Sequence, residues 1–195
     1  PILYFPKFFH PDPTVVRRSG FLKPKFRDSL ALGSSITTPY FKEMSDNKDV
    51  TLAPTLFDSN MQMIQNEYRQ INEFSKFIAH LGFTNNYKSS SQDKKKNSIF
   101  HFFSDFELDL NLDNFITSDL FARIERVTND TYLKVFESNL SESIAIPESQ
   151  NTLKNELKIS LDHENFDFES GIKIFEDLHK KSSDRYEYIL PYYSF

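Results

Sequence analysis

The chain has 195 residues, with 23 Lys and Arg against 28 Asp and Glu, for a formal charge of −5; that balance argues against a nucleic-acid binder relying on a general basic surface. Cysteine is absent and Gly numbers only 4, which excludes disulfides, thiolate metal sites and cysteine nucleophiles within the chain, together with Gly-rich phosphate loops and dinucleotide-binding turns. Phe and Tyr number 21 and 9 while hydrophobic residues make up only 38%, so the aromatic side chains must be gathered on particular faces.

A short extended segment over 1–5 opens on Pro1 instead of Met, with no visible secretory signal, and the sequence reads as a segment of a longer protein. No run of 18 apolar residues offers a transmembrane helix. The dominant periodicity is two. Leu30, Leu32, Ser34 and Ile36 alternate with small residues. Phe106, Leu108, Leu110 and Leu112 alternate with Glu107, Asp109, Asn111 and Asp113. Leu157, Ile159 and Leu161 do the same, as do Phe166, Phe168, Ser170, Ile172 and Ile174. Such alternation gives an extended strand one apolar and one wet face, whereas on a helix it would scatter the apolar residues around the cylinder. Strands are predicted over 19–26, 30–42, 48–57, 60–70, 73–84, 98–111, 117–127, 152–162, 165–176 and 186–195. Many exceed the ~5–6 residues usual in globular sheets and approach the ~9–11 that cross a bilayer as tilted strands.

The connections alternate in length. Those at 71–72, 112–116 and 163–164 are short, and those at 85–97, 128–151 and 177–185 are longer. In an antiparallel meander alternate connections lie at the same end, so short turns gather at one end and long loops at the other. An outer-membrane barrel has this layout, and so does a soluble antiparallel sheet with uneven loops. The low-complexity stretch 88–98, with Lys94, Lys95 and Lys96, reads as a solvated loop tip.

No catalytic grouping emerges. His10, His80, His101, His163 and His179 have no partner at ligand spacing and read as surface or lumen histidines. No Gly-x-Ser-x-Gly elbow occurs. Glu107 and Asp109 share a strand face as a solvated pair, not as an acid–base pair. No enzyme chemistry, cofactor or metal is implied.

Pro24, Pro39 and Pro54 fall in three consecutive predicted strands. Each removes a ladder donor, and proline is avoided in central strands except near ends and bulges, where Pro54 is expected. Lys23, Lys25 and Arg27 alternate with Leu22, Pro24 and Phe26 and so are expected on one face of the first strand.

Five blocks in order resemble the family of the LPS-assembly protein LptD, also called organic solvent tolerance protein. They are the Pro- and aromatic-rich segment 1–13, Arg17-Arg18-Ser19-Gly20-Phe21-Leu22-Lys23-Pro24, Thr38-Pro39-Tyr40-Phe41, Asp49-Val50-Thr51-Leu52-Ala53-Pro54 and Asn66-Glu67-Tyr68-Arg69. Val127-Thr128-Asn129-Asp130-Thr131-Tyr132-Leu133 and the segment 186–195 add weaker similarity. Two positions depart from the family pattern: Asn66 stands for a glycine and Lys42 for an aromatic.

The resemblance implies an all-β chain: a partial antiparallel up-and-down outer-membrane β-barrel over 17–195, preceded over 1–16 by the end of a periplasmic β-jelly-roll. It implies lipopolysaccharide transport and assembly at the bacterial outer membrane, with translocation through a lateral gate into the outer leaflet. The implied partners are lipopolysaccharide, an LptE-type plug lipoprotein and a periplasmic bridge protein of the LptA type, with no nucleic acid. Gate prolines of this family match Pro24 and Pro39, and Lys23, Lys25 and Arg27 become candidate contacts for lipopolysaccharide phosphates. The rival readings are another outer-membrane porin or transporter barrel and a soluble carbohydrate-binding β-sandwich.

Overall fold

Period-two alternation converts directly into the strands of the computed structural model, which describes residues 17–88 and 98–195. The strands are β1 (Gly20–Phe21), β2 (Lys25–Ser29), β3 (Gly33–Thr37), β4 (Tyr40–Ser45), β5 (Lys48–Phe57), β6 (Gln62–Ile71), β7 (Ser75–Asn85), β8 (Ser98–Asp109), β9 (Thr117–Val127), β10 (Thr152–His163), β11 (Phe166–Asp177) and β12 (Tyr186–Ser194). All belong to one antiparallel sheet in which each pass pairs with the next. β1 with β2 and β3 with β4 each form a single interrupted pass, so the twelve strands make ten passes.

The turns at one end are 46–47, 72–74, 110–116 and 164–165, and the connections at the other include 128–151 and 178–185. The expected separation of short turns from long loops is therefore present. The segment 1–16 and the Lys94–Lys96 loop tip lie outside the described residues.

Register sorts the side chains into two faces, because directly opposed residues share a face. Leu56, Ile64, Phe83 and Phe100 lie on one face and are exposed, with Ile64 opposite both Pro54 and Phe83, and Phe83 opposite Phe100. Leu157 lies between Ala122 and Ile172 on the same face. The other face carries Thr55, Gln65, His80, Thr84, His101 and Asp105, all buried and polar, among Met63, Ile78, Ile99 and Phe103. One face thus presents exposed apolar side chains, and the other is mixed and covered.

The cover comes from 128–151. Residues Tyr132–Phe136 form one short helix, α1, followed by a single 3-10 turn over Glu137–Asn139. Tyr132, Leu133 and Phe136 pack against Met63, Ile78, Ile99, Phe103 and Leu153. Only strands and a long loop are expected here from the sequence. A helix of five residues spans barely more than one turn, too short for a 3.6 period to register.

Three local expectations change. The first two predicted strands each break in two, at 22–24 and at 38–39. Leu30 and Leu32 do not extend the second strand but sit in the 30–32 turn, Leu30 fully exposed and Leu32 in the inner core. Gly33 then starts β3 at φ +77°, left-handed backbone in which a side chain is strained. Pro54, expected near a strand end or bulge, instead lies inside the ten-residue β5.

The outer passes differ from the central ones. The first pass and β12 are the two edges of the sheet, and among the described residues no pairing joins them. β12 carries its own irregularity: Gly171 opposes Tyr192 while Lys173 opposes Ile189, so an extra residue is accommodated around Leu190 and Pro191.

Candidate functional site

Proline sets the geometry of the first seam. Phe21 stands opposite Tyr40, and Lys25 stands opposite Thr37. Four steps along the first pass therefore span three along the second, which makes 22–24 against 38–39 a β-bulge. The Leu22 amide donates to the Pro39 carbonyl at 2.8 Å, and the Thr38 amide donates to the Pro54 carbonyl at 3.1 Å. In an antiparallel ladder a residue turns its N–H and C=O to the same neighbour. Pro39 and Pro54 accept these bonds but have no N–H to return, so the first two seams each lose a bond at adjacent steps. Beyond the bulge, β3 holds β5 over only three pairs, Ser35–Thr37 against Thr55–Phe57. β5 against β6 runs unbroken through Pro54.

The bulge also redistributes the charged side chains of the first pass. Lys25 and Arg27 oppose Thr37 and Ser35, both buried on the covered face. Lys25 Nζ lies 3.4 Å from Glu142 Oε1 of the inner segment, a solvent-exposed contact worth little. Lys23 lies within the bulge, where the extra residue interrupts the alternation: Phe21 and Phe26, five positions apart, both face outward, opposite Tyr40 and Ile36. The structure thus brings Lys25 and Arg27 together on the covered face, and Pro24 and Pro39 together at the break.

The inner segment is tied to the wall at two places. Buried Gln65 donates through Nε2 to the Asn139 carbonyl and accepts through Oε1 from the Ser141 amide, both at 2.8 Å. Asn139 in turn donates to Ser35 Oγ at 2.9 Å, which connects the segment to β3 in the second pass. At the second place, the Tyr132 hydroxyl lies 2.7 Å from His101 Nδ1, and His101 Nε2 lies 2.8 Å from His80 Nδ1. Burial raises the Tyr132 phenol above the ordinary tyrosine range, so it stays neutral. The two imidazole rings are stacked with 4.9 Å between centroids, and Phe103 stacks on His101 at 4.6 Å.

His80 and His101, expected at the surface or in the lumen, lie on the covered face and are buried beneath α1. Their meeting depends on the β7–β8 register, which no local pattern in the sequence carries. Between the inner segment and β6–β7 lies a cleft of about 810 Å³, lined by Glu67, Arg69, Ile71, Ile78, Leu133, Glu137 and Glu142 among others. Glu107 is exposed and pairs loosely with Lys76 at 3.6 Å, as expected of a solvated carboxylate. Among the described residues no group of three or more His, Cys, Asp or Glu is arranged to hold a metal ion. No helix there is long and apolar enough to cross a membrane, which leaves β-strand crossing untouched.

No family model matches the chain. Curated relatives do. The LPS-assembly protein LptD of Idiomarina loihiensis is 26% identical over 141 residues, covering 72% of this chain and 18% of that protein. The LptD proteins of Ectopseudomonas mendocina and Cupriavidus pinatubonensis are 35% and 38% identical over 75 and 73 residues, covering 38% and 37% of this chain. The matched stretch is less than a fifth of the length of these relatives. The chain is thus related to the LPS-assembly protein LptD, and its all-β, antiparallel up-and-down sheet agrees with that kinship.

Proposed function

We propose that this chain forms part of the wall of an outer-membrane β-barrel that assembles lipopolysaccharide into the outer leaflet, with the first pass as one side of a lateral gate. The segregation of its two faces carries this reading. A single continuous sheet exposes Phe21, Phe26, Leu56, Ile64, Phe83 and Phe100 outward and sets Thr55, Gln65, His80, Thr84, His101 and Asp105 inward. A bilayer accepts such an outer face, and a barrel satisfies every backbone group that hydrocarbon would leave unpaired. A soluble sandwich would set a second sheet against an apolar face, and none stands there among the described residues.

On this reading residues 17–195 are the N-terminal strands of the barrel and 1–16 the end of a periplasmic domain. The two open edges of the sheet are completed by strands of the whole protein. An LptE-type lipoprotein occupies the lumen, an LptA-type bridge delivers lipopolysaccharide from the periplasm, and neither step requires an enzyme. Pro24 and Pro39 weaken the first seams, which lowers the cost of parting the wall. Lys25 and Arg27, with Lys23 in the adjoining bulge, offer cations to lipid A phosphates passing the gate.

The test is site-specific photocrosslinking in cells that carry the intact protein. A crosslinker at Lys25 or Phe26 is expected to capture lipopolysaccharide, and one at Ile159, in the middle of the outer face, is not. Absence of adducts at the first pass, in cells that still deliver lipopolysaccharide, counts against the gate.

A further inference from the structure

The foot of the first pass is held by a contact outside its own ladder. Asp49, near the start of β5, is 2% exposed, yet it is ionisable and sits among strands. Its Oδ2 takes the Arg17 guanidinium, and its Oδ1 accepts from Arg69 Nε at 2.8 Å. Arg69 also lies 3.6 Å from Glu67 Oε1. Register explains the convergence: Glu43, Asp49 and Arg69 stand opposite one another in turn across β4, β5 and β6 on the covered face. Arg17 precedes β1 and reaches across the second pass to the third, with its guanidinium 5.6 Å from the centre of the Phe41 ring. Ser19 Oγ accepts from the Glu43 amide at 2.9 Å just beside it.

We infer that Asp49 is a positioning residue, a carboxylate clamp that fixes the start of the first pass and confines any parting of that pass to residues beyond Pro24. Three observations lead there. The clamp joins Arg17 to β5 and β6, so the foot stays attached even where the β1–β4 ladder, only two pairs long, lets go. The charges are partly screened from water: the Asp49 side chain is 3% exposed, against 46% and 39% for Arg17 and Arg69. A carboxylate removed from water in this way is stable only while paired, which makes the clamp cooperative. Beyond the bulge, by contrast, the ladder of β2 among the described residues is the one with β3, supplemented by the exposed Lys25–Glu142 contact. The proline bulge separates a fixed foot from a lightly held upper arm. In the gate reading this makes the seam part from the long-loop end downward; the clamp itself is measured without reference to export.

The experiment is amide hydrogen exchange on the intact protein in lipid nanodiscs, read for peptides over 19–22 and over 25–29. In the native protein the Leu22 amide is expected to exchange more slowly than those of 25–29. Arg17→Ala, which leaves Asp49 its Arg69 partner, is expected to speed exchange at 19–22 by about fivefold and leave 25–29 unchanged. Asp49→Asn removes the carboxylate on which both arginines converge, leaving Arg69 its longer Glu67 contact, and is expected to speed it by about tenfold or more, with the double variant no faster than Asp49→Asn alone. Arg17→Lys keeps the charge and is expected to stay close to native. Unchanged exchange at 19–22 in Arg17→Ala overturns the clamp, as does a speed-up spread evenly over 19–29. If Pro24 and Pro39 variants export normally while Arg17→Ala still loosens 19–22, the gate reading fails and the clamp stands.

Discussion

Gly82 on β7 stands directly opposite His101 on β8, and the His101 imidazole occupies the space that a Cβ on residue 82 would need. Here a glycine is required for close approach, not for an unusual φ. Gly82→Ala is expected to push the ring away from both Tyr132 and His80, loosening α1 from the wall at a cost of about 1–3 kcal/mol. The measurement is the temperature at which the intact protein in detergent loses its folded, fast-migrating form on gels. An unchanged transition would mean that His101 can move freely, contrary to its packing against Phe103.

Gln65 is the wall's main hydrogen-bonding hold on the 3-10 turn. Gln65→Ala removes one donor and one acceptor from buried backbone partners and is expected to cost about 2 kcal/mol. Gln65→Glu keeps the acceptor for Ser141 and is expected to fall between the two. Limited proteolysis should cut within 137–146 faster in the order native, Glu, Ala; equal rates in all three would show that the inner segment is held by its apolar contacts alone.

Gly33 combines positive φ with a crowded neighbour. The Asp58 carboxylate, which accepts from the Ser34 amide at 3.1 Å, lies where a residue-33 Cβ would project. Gly33→Ala is expected to cost about 1–2 kcal/mol and to displace Asp58 from its hold on the turn. Faster amide exchange over 33–37, with β7 and β8 unaffected, is the outcome to look for.

Pro24 and Pro39 both lie at the bulge of the first seam and bring no N–H to it. The double Pro24→Ala, Pro39→Ala variant restores amides to the bulge, each able to add about 0.5–1.5 kcal/mol if it finds its carbonyl. Lipopolysaccharide delivery to the cell surface, followed by pulse-chase, is expected to slow. Delivery at the native rate would remove the prolines from the gate.

Much of the wall is legible in the amino-acid order. Alternation such as Phe106–Leu112 and Leu157–Leu161 marks strands because neighbouring side chains on an extended backbone must point to opposite faces, a property of each strand by itself. Loop lengths follow from the same reading, and so do the ten passes and the break-prone prolines. The site was less legible. That Pro24 and Pro39 meet at one bulge depends on how two passes are registered, and one extra residue between Phe21 and Lys25 changes which side chains share a face. The pairing of His80 with His101, the seating of Tyr132 on His101 and the meeting of Arg17, Asp49 and Arg69 rest on contacts between residues 20 to 32 positions apart, from separate strands or loops. Periodicity is a local property and reports which face a residue takes; only the pairing of strands and the folding back of 128–151 decide what it meets there.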